Sequence, residues 1–287
     1  MALASVCGYA KFNIAEKEKM APSTDPALML CQPCPSPLAF ELPGNFKPKN
    51  FVESHFGKEC RFQFLHGTTT LAFIYQNAET KKGEIIVAVD SRASSGLYVS
   101  TQNILKVLEI SNHIVSTMAG GAADCQFWIR LLAKQARLYE LQNKEKITVA
   151  AASKLLCNML CNYKGMGLSV GSMVAGYDKR GPGLYYVDSE GKRVKGNLFS
   201  VGSGSLNAYG ILDTFYKPEM SLQEAVELGR KGITHATFRD SGSGGNVNVY
   251  HVTEGGQKFY GKEDVSNLYY KFLEDSGRGT FDPKDLV

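Results

Sequence analysis

The sequence predicts an α+β protein in four layers, helix, sheet, sheet, helix (αββα), on three observations. Apolar runs rich in β-branched residues come first, two long helical stretches follow, and then strands and helices come round again. A chain of 287 residues with 44% hydrophobic content can bury a substantial core. Proline usage marks where that core begins. Seven of the ten prolines, Pro22, Pro26, Pro33, Pro35, Pro37, Pro43 and Pro48, precede residue 50, so residues 1 to about 60 read as an extended leader.

Thr68–Tyr75 and Glu84–Ser91 read as apolar strands joined by the polar loop Asn77–Gly83. Val99–Ile110 and His113–Met118 are expected to continue the sheet. A helix over Ala122–Leu141 presents Phe127, Leu131, Leu132, Leu138 and Leu141 as its apolar residues, and a second over Thr148–Tyr163 opens on Thr148 as N-cap. Strands resume at Ser169–Tyr177, Leu184–Asp188 and Asn197–Val201, with turns at Pro182-Gly183 and Ser189–Gly191. Helices follow at Leu206–Phe215 and Ser221–Phe238, the latter opening on the capping box Ser221-Leu222-Gln223-Glu224. Strands at Val247–Thr253 and Lys258–Tyr260 and a helix at Val265–Leu273 complete the pattern.

Composition excludes several classes of function. The net charge of +4 is mild and basic residues alternate with acids, as over Glu140–Lys146, which argues against nucleic-acid binding. No apolar run reaches the ~18 residues of a membrane span, and no basic segment precedes the apolar start as in a signal peptide. The cysteines, Cys7, Cys31, Cys34, Cys60, Cys125, Cys157 and Cys161, are odd in number and scattered. They read as reduced thiols of a cytosolic or nuclear protein, and the isolated Cys31-x-x-Cys34 as incidental. The five histidines show no metal spacing, and the glycine-rich segments lack a third glycine or a Gly-Lys-Ser/Thr for phosphate.

The chemistry-bearing residues cluster at element ends. Cleavage after Gly67 would give Thr68 a free α-amine of pKa about 8 beside its own hydroxyl, so that one residue holds nucleophile and base. The same run, Gly67 to Phe73, also reads simply as a turn and a strand. Lys106, among Ile104, Leu105, Val107 and Leu108, is a candidate for a partly buried lysine on a strand, and Asp90, at the end of an apolar run, for its counter-charge. A solvated edge lysine and a strand-terminal aspartate are the alternative. Ala119-Gly120-Gly121-Ala122 joins a strand to a helix start and can offer backbone N–H groups to an oxyanion, or be a tight turn. The segments Gly202-Ser203-Gly204 and Asp240–Asn246 either bring Ser203, Asp240 and Ser243 to one site or are loops.

Longer stretches carry a family likeness. Gly67 to Phe73, Val89-Asp90-Ser91-Arg92-Ala93, Thr117 to Cys125, Val149 to Leu155, Tyr163 to Ser169, Gly181 to Gly191 and Val201 to Ser205 occur in the order found in the β-subunits of the 20S proteasome. From Gly67 to about Thr253 the chain resembles that family of N-terminal-nucleophile threonine peptidases, and most of all its branch with chymotrypsin-like activity. The resemblance implies the N-terminal-nucleophile hydrolase fold, with residues 1–67 a propeptide removed by autocatalytic cleavage at Gly67-Thr68 and residues 68–287 the catalytic domain. It implies that Thr68 is the nucleophile, that Asp90 and Lys106 form the charged pair beside it, and that the Gly120 N–H stabilises the oxyanion. Ser203, Asp240 and Ser243 would complete the network.

By the same resemblance Ala93, Ser94, Ile104, Leu108, Met118 and Ala122 line the substrate pocket, where small residues and an adaptable methionine suit large hydrophobic groups. It implies stacked rings of α- and β-subunits as partners, unfolded polypeptides as substrates, a place in the cytoplasm and nucleus, and neither metal nor organic cofactor. A noncatalytic structural β-subunit is the alternative, against which the joint presence of Thr68, Asp90 and Lys106 speaks. A standalone hydrolase of the same superfamily is a second, disfavoured by how closely the wording follows that branch throughout. Three departures stand out. The loop Asn77–Lys82 is longer than usual, Gly242 stands where the family has tyrosine, and Ser95 and Ser100 replace alanine near the third pocket.

Overall fold

The computed structural model describes residues 67–95 and 98–275, with only the backbone of Ser95. The chain divides after Phe62, and the described residues belong to the second unit. The expected leader up to His66, Cys31-x-x-Cys34, and any effect of the Ser95 side chain lie outside the described residues.

Among the described residues, two six-stranded sheets, a two-stranded hairpin and five helices make up this unit. The first sheet is built on the hairpin of β1 (Thr69–Asn77) and β2 (Gly83–Val89), which pair antiparallel with Phe73 opposite Ile86. β11 (Leu198–Gly202) flanks β1, and β13 (Asn246–Thr253) followed by β14 (Gly256–Asp264) flanks β2, while the short β12 (Glu219–Met220) runs parallel to the end of β1. The second sheet has the order β10 (Arg193–Lys195), β9 (Gly181–Asp188), β8 (Val170–Asp178), β6 (Ile114–Thr117), β5 (Val107–Ser111), with β7 (Ala119–Gly120) also on β8.

The central strands are apolar on both faces because both faces are covered. Leu71, Phe73, Tyr75, Ile86 and Ala88 pack with residues of α3 (Ser205–Phe215), α4 (Leu222–Arg239) and α5 (Val265–Asp275). The alternate residues Ala72, Ile85, Val87 and Val89 meet Val107, Val115, Met173 and Leu184 of the second sheet. On the outer face of that sheet lie α1 (Ala122–Asn143) and α2 (Val149–Cys161), joined by Trp128 against Tyr163 at 4.8 Å between ring centroids. The layers are therefore the expected αββα. Both expected caps form: the Thr148 hydroxyl accepts the Ala151 N–H, and Ser221 and Glu224 close a reciprocal capping box.

Four local expectations need correction. Val99–Ile110 is not one strand: β4 (Tyr98–Thr101) pairs with β3 (Ala93–Ser95) in a separate hairpin, and β5 begins at Val107. The chain between them is diverted because the Ile104 N–H bonds the Ser91 carbonyl and the Ser91 hydroxyl holds the Gln102 carbonyl. Lys106 therefore precedes a strand rather than sitting within one. Pro182-Gly183 lies within β9, opposite Tyr177 and Gly176, and the turn is Lys179-Arg180. At the start of a strand the missing proline N–H is tolerated.

The apolar face of α1 is also different. Cys125, Trp128, Ile129, Leu132 and Ala136 are buried, whereas Phe127 is 42% and Leu141 59% exposed. We expect Leu132→Ala to cost the full-length chain about 2–5 kcal/mol, as for a buried leucine. Leu141→Ala should cost less than about 0.5 kcal/mol. Urea unfolding midpoints compare the two, and equal losses would contradict the assigned face.

Candidate active site

Strand register alone brings the head of β1 between two strand ends. Pairing of Thr70 with Val89 sets Thr69 beside Asp90, so that the Asp90 N–H bonds the Thr69 carbonyl at 3.1 Å and the Thr69 N–H bonds Asp90 Oδ1 at 3.0 Å. Pairing of Thr69 with Gly202 sets Thr68 beside Ser203, whose Oγ accepts the Thr68 N–H at 3.2 Å. A third element arrives because β13 pairs with β2, which brings the segment after α4 to Asp90, where the Gly244 N–H donates to Oδ2 at 3.0 Å. Lys106 stands immediately before β5 of the second sheet, its carbonyl held by the Met118 N–H at 2.8 Å. The site is thus a seam between the two sheets.

Asp90 is 0% and Lys106 4% exposed, and Lys106 Nζ lies 2.7 Å from Asp90 Oδ1. The other two ammonium donors are directed at Thr68 Oγ, 3.0 Å away, and at the Gly67 carbonyl, 3.2 Å away. Thr68 Oγ in turn lies 2.7 Å from the Gly67 carbonyl oxygen. Burial pushes the Lys106 ammonium below the usual lysine range although Asp90 pulls the other way. Burial likewise raises the Asp90 carboxyl, against the pull of Lys106 and of the Thr69 and Gly244 N–H groups.

Ser203 and Ser243 each place Oγ 2.5 Å from Asp240 Oδ2, and Oδ1 accepts the Gly242 N–H at 3.1 Å. Asp240 caps the C-terminal end of α4, so the helix fixes this carboxylate. Thr68, Asp90, Lys106, Ser203, Asp240 and Ser243 therefore form one hydrogen-bonded cluster. Gly120 stands outside it, in β7 on the second sheet, with φ +102 and the Ser169 carbonyl where a side chain would begin. Of the expected pocket residues, Ile104 and Leu108 flank Lys106 two residues away, and Met118 is buried beside it. Ala93 and Ser94 start β3, and Ala122 is exposed at the first position of α1.

Several residues not foreseen from the sequence hold the cluster. Ser91 accepts the Asn246 N–H at 2.8 Å and, through Gln102 and Ile104, aligns the approach to Lys106. Arg92 bonds the Ser241 carbonyl at 3.3 Å, with its guanidinium packed on Gly244. Both lie in the stretch Val89–Ala93, a polar pair directly after an apolar strand. Gly242 packs backbone to backbone against Gly67. A Cβ on Gly67 would lie 2.0 Å from the Gly242 oxygen, and one on Gly242 would lie 2.7 Å from the Gly67 Cα. Among the described residues no group of three His, Cys, Asp or Glu side chains is arranged to hold a metal, and no helix is long and apolar enough to cross a membrane.

Comparison with known proteins places these residues in context. Residues 64–252 match the family described as "Proteasome subunit". The chain is 53% identical to proteasome subunit pbs-5 of Caenorhabditis elegans over 89% of its own length and 92% of that protein. It is 57% identical to proteasome subunit beta type-5 of Gallus gallus over 72% of the chain and 78% of that protein. With proteasome subunit beta type-8 of Homo sapiens it shares 52% identity, covering 81% and 83%.

The geometry makes a definite stability prediction. Asp90→Asn leaves Lys106 buried without its counter-charge and should destabilise the chain by about 3–5 kcal/mol. Adding Lys106→Met removes the orphaned charge and should restore much of the loss. Chemical denaturation of the single and double variants checks this, and additive losses would refute the pairing.

Proposed function

From the premise that the chain belongs to the proteasome subunit family, as a β-subunit of the beta type-5 kind, we propose that it is a threonine endopeptidase activated by cleaving its own Gly67-Thr68 bond. The observation that carries the reading is Lys106 Nζ, within 3.2 Å of both the Thr68 hydroxyl and the Gly67 carbonyl. The group to be activated and the bond to be cut face one buried amine.

In processing, Thr68 Oγ attacks the Gly67 carbonyl carbon and its proton passes to neutral Lys106. The charge that develops on the Gly67 oxygen then meets the resulting ammonium. The carbon–nitrogen bond breaks, the Thr68 nitrogen takes the proton and leaves as an amine, and Gly67 remains as an ester on Oγ. Water hydrolyses that ester, freeing residues 1–67 as a propeptide and residues 68–287 as the mature chain. Substrate follows the same route: Oγ attacks a peptide carbonyl, the Gly120 N–H receives the oxyanion, and an ester forms for water to cleave. The Thr68 amine and Lys106 hold and return the proton, while Ser203, Asp240 and Ser243 fix the amine.

Members of this family assemble with other proteasome subunits, and the exposed Tyr98, Leu105 and Leu206 suit a surface that neighbours cover. The proposal extends to stacked rings of α- and β-subunits in cytoplasm and nucleus, acting on unfolded polypeptides. Adaptable Met118, buried beside Lys106, and small Ala93 at the start of β3 support a preference for large hydrophobic residues before the cut.

Intact mass and peptide hydrolysis of the assembled particle test the reading. Thr68→Ala should retain the leader and show no hydrolysis by this subunit. Lys106→Arg keeps a charge but has no neutral form in the working range, so processing and hydrolysis should both fall at least about a thousandfold. Because the neutral form of the freed Thr68 amine is the active one, the rate should fall as pH drops below about 8, the ordinary α-amine range. Gly67→Ala drives a methyl into the Gly242 backbone and should leave the bond uncut. Peptides with leucine or tyrosine before the cut should exceed those with arginine or glutamate by about tenfold or more, and the reverse order would overturn the assigned specificity.

A further inference from the structure

The hydroxyl of Thr69 has a place in the cluster that the mechanism above leaves unused. Thr69 is 0% exposed, and its Oγ lies 2.8 Å from Ser243 Oγ. Either atom could donate in isolation, but a count of protons settles the direction. Asp240, as a carboxylate, only accepts, and both Ser203 and Ser243 stand 2.5 Å from its Oδ2. Each serine owns one proton, and the short charge-assisted contact takes it in preference to the 3.3 Å contact of Ser203 with the Thr68 carbonyl.

Ser243 therefore has only a lone pair left for Thr69, and Ser203 only a lone pair left for the Thr68 nitrogen, 3.2 Å away. We propose that Thr69 is a positioning residue for the Thr68 amine, its hydroxyl being the outermost donor of a directed chain. The chain runs from Thr69 through Ser243 to Asp240 and is met there by Ser203, which receives the Thr68 nitrogen. This rests on the proposed role of Thr68 and adds a regulator of its base.

The direction matters chemically. With its own proton committed to Asp240, Ser203 accepts an N–H of the freed amine and cannot donate to the amine lone pair. That lone pair stays available for the Oγ proton. Donation by Thr69 polarises Ser243 and so strengthens its bond to Asp240, drawing charge off the carboxylate. Without the Thr69 hydroxyl, Asp240 is less well satisfied and Ser203 becomes a stronger acceptor. The protonated amine is then favoured, and its pKa rises.

The experiment places Thr69→Val, Thr69→Ser and Thr69→Cys in the full chain within its native particle. Mature N-termini are read by intact mass, and kcat, KM and pH profiles are taken with a hydrophobic peptide. Valine keeps the shape and loses the donor, so kcat should fall about tenfold with KM unchanged, and the acidic limb should move to higher pH. Serine should restore both, and cysteine, a weak donor, should lie between. A valine variant with unaltered kcat and pH profile overturns the proposal, as does a serine variant as impaired as valine. If the valine chain does not assemble, cysteine equal to serine overturns it and cysteine below serine supports it. A wild-type particle whose chain does not begin at Thr68 would instead overturn the parent reading, and this one with it.

Discussion

The buried contact between Lys106 and Asp90 constrains everything around it. Two charges withdrawn from water are tolerable only when the remaining donors and acceptors are filled, since each ion loses several kcal/mol of solvation. Asp90 meets that demand by accepting backbone N–H groups from Thr69 and Gly244 besides the ammonium. Those N–H groups arrive only if β1 and β13 lie on either side of β2 in the observed register. A slip of one residue in either pairing would turn every side chain of the strand to the opposite layer. The core alternation and the ion pair therefore enforce the same register, one through apolar burial and the other through hydrogen bonding.

Much of the layer order was legible in the sequence because most elements announce themselves locally. Thr148 and the Ser221–Glu224 box mark helix starts through their own side chains, and β1 and β2 through unbroken apolar runs. What stayed illegible was set at a distance. The break in Val99–Ile110 comes from Ser91, which lies earlier in the chain and draws Gln102 and Ile104 toward itself. The buried face of α1 differs from the expected one because the helix carries more apolar residues than the sheet beneath it can cover, leaving Phe127, Leu138 and Leu141 outside. Nothing in the helix itself distinguishes the covered stripe from the uncovered one.

The site divides along the same line. Asp90 and Lys106 could be suspected from charge set among apolar neighbours, a local oddity with a physical cost. Ser203, Asp240 and Ser243 offered no such oddity, since glycine-rich polar loops are common. Only family likeness singled them out, and only the fold shows that β11 and the end of α4 deliver them to Thr68. Ser91, Arg92 and Thr69 escaped notice for a further reason. Their contribution is to hold other groups in place, and such a contribution has no signature before the partners are known.

In the proposed mechanism the Gly67-Thr68 junction explains how one lysine can serve two reactions. While the bond is intact, the Thr68 nitrogen is an amide and cannot act as a base, so in the proposed processing the proton of Oγ leaves by way of Lys106. On the proposed cleavage the same nitrogen would become an amine held by Ser203, and Lys106 would no longer be the sole acceptor. In the proposed mechanism Gly67 takes the place of the first substrate, its carbonyl already facing Thr68 Oγ and Lys106. That placement depends on close approach. Gly67 and Gly242 abut so tightly that neither leaves room for a side chain, and the Gly67 carbonyl accepts from the Thr68 hydroxyl and from Lys106. On the proposed cleavage, removal of Gly67 would vacate the space it now shares with the Gly242 backbone beside Thr68. The residue that admits the Gly67 backbone would then also border what the proposed mature site receives.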